Sequence, residues 1–144
     1  WLGGSLILDL VMMPTMYISG MLSQPEFITA GYSLFWVFNR VELVSAAIVL
    51  TGALALRLTQ KPMESTAQTP VLLASLLLGI ALAYTYSLTP HMSALGLQLN
   101  LFAPTLETPA EMNLLHAGYW SLEALKLGAA GLLLKGVYRR LGQA

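Results

Sequence analysis

Cysteine is missing from the chain. Disulfides, thiolate metal sites and a cysteine nucleophile are therefore excluded, although the absence says nothing of redox compartment. Charge is scarce as well. Only 10% of residues are Asp, Glu, Lys or Arg, against roughly 25% in soluble domains. That deficit argues for a bilayer environment. There is no basic block and the formal net charge is zero, so nucleic-acid binding is not expected. No P-loop, zinc-protease motif, serine elbow or dinucleotide fingerprint occurs, and the serines have no obvious base partner. The chain is not expected to be an enzyme. A cleavable leader is not expected either, because the first apolar stretch carries Asp9 and no small-residue cleavage site follows it. The chain opens at Trp1 rather than Met, which points to natural residues ahead of it.

What is present is hydrophobic sequence, 56% of 144 residues, gathered into four runs. The spacing predicts an all-α membrane protein, a single bundle of four transmembrane helices with spans at about 2–22, 31–58, 70–89 and 112–134. Pro14 lies inside the first span, where a membrane helix tolerates a kink. Ser23-Gln24-Pro25-Glu26 is the first loop, and the polar stretch Thr59–Thr69 is the second. Pro70 suits the first turn of helix three, and Pro90 disfavours helix before it, so helix three is expected to end at Thr89-Pro90. The third connection, His91 to Glu111, carries Leu95, Leu97, Leu99, Leu101 and Phe102. It is too apolar for a solvated loop and too short to span. We read it as an apolar interfacial segment that caps the bundle, with partner docking as the alternative.

Charges outside the spans orient the bundle. Arg57 and Lys61 flank the second loop, and Lys135, Arg139 and Arg140 follow helix four. The first and third connections hold only Glu26, Glu107 and Glu111. The positive-inside rule therefore places both termini on the cytoplasmic or stromal side.

Five ionisable residues lie inside the spans: Asp9, Arg40, Glu42, Glu123 and Lys126. Charge in hydrocarbon is costly and persists with a partner or a task. At about 1.5 Å of rise per residue, Arg40 and Glu42 lie roughly 14 and 17 Å from the outer end, and Glu123 and Lys126 roughly 17 and 21 Å. These depths allow Arg40 to meet Glu123, and Lys126 to meet Glu42 or Asp9. The plainer reading of such pairs is structural: they fix helix order and rotation. The functional reading starts from the count of three carboxylates and two bases. The one surplus carboxylate needs a proton, a ligand or another subunit to neutralise it. His116, Tyr119, Glu123 and Lys126, spaced three, four and three apart, share a face of helix four. With Asn39 and Arg40 on helix two they outline a polar, charged seam.

Other side chains have plainer readings. His91 and His116 lie toward the same side, but no spacing motif supports haem or metal ligation. Met12, Met13, Met16 and Met21 crowd helix one. Thioethers suit copper, yet methionine is also an ordinary packing residue. No cofactor is predicted, haem and copper being the weaker alternatives. Gly128, Ala129, Ala130 and Gly131 on helix four, and Ser45, Ala46 and Ala47 on helix two, are small-residue faces that let helices approach. Packing within the bundle is the first reading, and a homodimer is the rival.

Trp1-Leu2-Gly3-Gly4, Met13-Pro14 with Gly20, Leu34-Phe35-Trp36-Val37-Phe38-Asn39-Arg40-Val41-Glu42, and Met112-Asn113-Leu114-Leu115-His116 together resemble an uncharacterised family of small four-helix membrane proteins. That family is related to the eukaryotic transmembrane protein implicated in cisplatin resistance. Copper-resistance-D membrane proteins are a more distant likeness. The wording of helices two and four is most similar to cyanobacterial members, which implies a thylakoid or bacterial plasma membrane. The resemblance implies a fold rather than a reaction, and it implies that Pro14, Asn39-Arg40 and His116 belong to the family pattern.

The expected function is that of an accessory or assembly subunit of a larger membrane complex, photosynthetic if the cyanobacterial likeness holds, with the bilayer and other membrane subunits as partners. A small transporter or metal- or drug-tolerance factor using the charged seam is the alternative. A haem- or metal-binding membrane protein is the third.

Overall fold

The computed structural model describes residues 1–19, 25–59, 68–102 and 110–142. Every described element is helical, and the elements form four helices in chain order. Helix α1 covers residues 2–18, built from Leu2–Ile7, a π-helical turn at Leu8–Met12, and Met13–Ile18. Helix α2 is Pro25–Thr59. Helix α3 covers residues 68–102, built from Gln68–Ala83, a second π-helical turn at Tyr84–Leu88, and Thr89–Phe102. Helix α4 is Ala110–Leu141. Among the described residues, two segments are long and apolar enough to cross a membrane, Thr29–Thr59 and Gln68–Gly96. Leu2–Met16 is a shorter apolar helix.

Proline placement explains the two π turns. A proline ring within a regular α-helix presses on the carbonyl four residues back, which would be Leu10 for Pro14 and Tyr86 for Pro90. In both helices the widened turn ends two residues before the proline, and such turns relieve this crowding. Pro90 therefore does not end helix three. The helix runs on to Phe102, which revises the expected end at Thr89-Pro90. The first part of the expected interfacial connection, residues 91–102, is a continuation of α3. Helix α2 starts at Pro25 rather than near Gly31, and α4 runs past Leu134 to Leu141. Met21, the loop residues Ser23 and Gln24, Lys61 and Glu64 of the second loop, and Glu107 lie outside the described residues.

The closest backbone packing is α2 on α3 and α3 on α4. Alanines make it possible: Ala46 on α2 and Ala74 and Ala81 on α3 are fully buried, and Ala129 on α4 nearly so. A methyl side chain lets two helix backbones approach. On α3 the buried stripe is Ala74, Leu77, Ala81 and Tyr84, spaced three, four and three, as one helical face requires. Helix α1 is tied to the others chiefly by long polar side chains.

Burial is inverted relative to a soluble bundle. Ser5, Asp9, Asn39, Glu42, Glu123 and Lys126 are buried, whereas Val37, Val41, Val44, Ile48, Leu72, Leu114 and Leu132 are each more than half exposed. Water would penalise such a surface, while hydrocarbon favours it.

Candidate functional site: a buried acid–lysine cluster

Helical periodicity gathers the site from all four helices. Trp1 caps α1, and Trp1, Ser5 and Asp9 recur every four residues, which places them on one side of that helix. Glu42 comes from α2, Tyr84 opens the π turn of α3, and Tyr119, Glu123 and Lys126 line one face of α4.

Lys126 is the hub. Its Nζ lies 2.5 Å from Glu42 Oε1 and 2.7 Å from Glu123 Oε2, with all three side chains buried. Glu42 Oε1 also accepts from Trp1 Nε1 at 2.9 Å and from Ser5 Oγ at 3.0 Å. These bonds fasten α1 to α2. The Tyr84 hydroxyl donates to Glu123 Oε2 at 3.1 Å, with the Tyr119 carbonyl also in reach at 3.2 Å. The Tyr119 hydroxyl donates to Asp9 Oδ1 at 3.0 Å, which fastens α1 to α4. The Tyr84 and Tyr119 rings pack at 5.1 Å between centroids, and Lys126 Nζ sits 5.4 Å from the centre of the Tyr84 ring. The hydroxyls and the aromatic face supply part of the solvation that burial removes from the charges.

Asp9, Glu42, Tyr119, Glu123 and Lys126 of the sequence-predicted seam thus come together, and Lys126 takes Glu42 as partner. Three other members do not join them. Arg40 does not meet Glu123. It is exposed, donates from Nη1 to its own helix at the Trp36 carbonyl (3.1 Å), and lies 3.4 Å over the Trp36 ring. Residues two apart on a helix point about 200° from each other, so Arg40 and Glu42 cannot both face inward. Asn39 shares the face of Glu42 and is buried, but it bonds Thr89 Oγ1 at 2.7 Å, a separate α2–α3 link. His116 is exposed, its Nδ1 2.8 Å from the Met112 carbonyl. His91 makes the same local bond to Ser87. Among the described residues no group of three or more His, Asp or Glu is arranged to hold a metal ion. Trp1, Ser5 and Tyr84 were not anticipated. The four-residue recurrence leading to Asp9 was the signal for the first two, and the stripe Ala74-Leu77-Ala81-Tyr84 for the third.

Moving Arg40 outside changes the charge balance. The buried set holds three acids and one base, not three and two. Two carboxylate oxygens, Asp9 Oδ2 and Glu123 Oε1, are fully buried with no hydrogen-bond partner. No protein-family model, curated protein or solved structure matches this chain.

Proposed function

We propose that this chain is a non-enzymatic integral membrane protein, a four-span bundle that serves as an accessory or assembly subunit of a larger membrane complex. The observation that carries the subunit role is the outward placement of three helical glycines. Gly52, Gly128 and Gly131 are exposed, and a methyl group added at any of them would meet nothing. Val44, Ala47, Ile48, Thr51 and Gly52 line a shallow apolar groove on α2. Glycine inside a helix costs about 1 kcal/mol relative to alanine, and here it brings no close packing within the bundle. Its use lies in admitting another helix.

Aromatic and basic side chains support the four spans and their orientation. Tyr32 and Trp36 on α2 and Trp120 on α4 are exposed aromatics in the halves of their helices that lie toward one end of the bundle, and Tyr138 is exposed toward the other. Along α2 the distance from Arg40 to Arg57 is roughly 26 Å, and along α4 from Trp120 to Tyr138 roughly 27 Å. Both match a hydrocarbon core of about 30 Å bounded by interfacial aromatics and snorkelling arginines. With Arg57, Lys135 and Arg139 at one end, both termini belong on the cytoplasmic or stromal side. The likeness to the small four-helix family, and to its cyanobacterial members, fits a plasma or thylakoid membrane.

Purification from native membranes in mild detergent tests the role. We expect the chain to migrate in a complex larger than itself with a different membrane protein, and Gly128→Leu combined with Gly131→Leu to release it. Recovery as a lone monomer at full abundance would overturn the proposal. A self-dimer alone would favour the homodimer.

A second reading, a small transporter or tolerance factor, is favoured by the unpartnered carboxylate oxygens in the cluster. On that reading Glu123→Gln abolishes flux or tolerance while the protein stays abundant. Equal loss of abundance would return the cluster to a structural role.

A further inference from the structure

The two unpartnered oxygens belong to neighbouring groups. The Asp9 and Glu123 carboxyls are bound by the hydroxyls of Tyr119 and Tyr84, whose rings pack at 5.1 Å between centroids, and in each carboxyl it is the other oxygen that is engaged. Asp9 Oδ1 accepts from Tyr119, and Glu123 Oε2 accepts from Lys126 and Tyr84. Two carboxylates have no hydrogen to share, and an unpaired buried acceptor is costly. One proton removes both problems at once.

We propose that Asp9 and Glu123 hold a single proton between them, carried on Asp9 Oδ2 and donated to Glu123 Oε1, which makes the cluster a proton-binding site. Asp9 is the better carrier because Glu123 faces the Lys126 ammonium and Asp9 does not. The Tyr119 bond then falls on the carbonyl oxygen of the Asp9 acid. The other groups facing the pair are Glu42 from α2, Tyr84 from α3 and Lys126 from α4. With the proton bound, the ionised members are Glu42, Glu123 and Lys126, and the net charge of the cluster is one negative rather than two. The proton is the simplest of the three ways to neutralise a surplus carboxylate, and this inference does not depend on the subunit role.

Asp9 is the single aspartate in the chain, so aspartate labelled with carbon-13 at the side-chain carboxyl reports on it alone. Infrared spectra of the full chain in lipid nanodiscs at neutral pH should show a protonated-carboxyl C=O band that shifts with the label and with D2O. Glu123→Gln should move or abolish that band. Asp9→Asn, whose amide N–H replaces the acid O–H, should melt within a few degrees of the parent, whereas Asp9→Ala should melt well below it. A label found only in the carboxylate bands would overturn the proposal. So would a C=O band unmoved by Glu123→Gln, or an Asp9→Asn variant as unstable as Asp9→Ala.

Discussion

Lys126→Met is expected to cost about 3–5 kcal/mol of folding stability, the usual penalty for removing one partner from a buried ion pair. Methionine keeps the length of the stem and removes only the charge. Glu42 and Glu123 then face each other with no cation between them, and Asp9 adds a third acid from α1. A domain has only about 5–15 kcal/mol in hand, so the variant should nearly vanish from membranes. The triple variant Lys126→Met, Glu42→Gln, Glu123→Gln should recover most of the loss, since replacing a whole buried charge set by neutral groups is often close to neutral. Equilibrium unfolding in mixed micelles and abundance by immunoblot measure both. A triple variant no better than the single one would mean that Lys126 stabilises by packing rather than by charge.

Glu42→Ala comes next, at about 3 kcal/mol, because hydrogen bonds to a charged acceptor contribute roughly 1.5–3 kcal/mol each and are not additive. Its Oε1 receives Trp1, Ser5 and Lys126. Lys126 keeps Glu123 at 2.7 Å, so the charge does not become an orphan. What is lost is the attachment of α1. Close backbone packing joins α3 to both α2 and α4, whereas α1 is held by these side-chain bonds and by Tyr119–Asp9. The variant should therefore become sensitive to proteolysis within α1 while the other three helices stay protected. Glu42→Gln, which preserves an acceptor oxygen, should lose less than half as much. Uniform digestion of all four helices in Glu42→Ala would show that the cluster holds the entire bundle and not α1 in particular.

Much of this architecture was legible before any coordinates. Hydrophobic runs located the helices, and depth along them offered Lys126 either Glu42 or Asp9, of which the structure gives Glu42. Depth alone does not contain rotation, and that is where Arg40 misled. Its distance along α2 suited Glu123, but it lies two residues from Glu42 and so on nearly the opposite side. Pro90 read as a stop because the rule against proline assumes a regular helix upstream. A π turn at Tyr84–Leu88 supplies the irregularity that admits it, and no residue type announces a π turn. Tyr84 was hidden for a related reason: in a helix without charged residues a lone tyrosine reads as apolar. The pair Asp9–Glu123 could not be inferred from charge counting, which treats acids as things that seek bases.

The absence of cysteine makes the most direct test clean, since every thiol introduced is the only one in the chain. Single cysteines at Ser23, Ser65, Thr105 and Gly142 can be probed in intact cells with a membrane-impermeant maleimide. A four-span bundle with both termini inside predicts labelling at 23 and 105 from outside, and at 65 and 142 only after the membrane is permeabilised. Labelling of 23 and 65 from the same side, or of all four positions in intact cells, would contradict it.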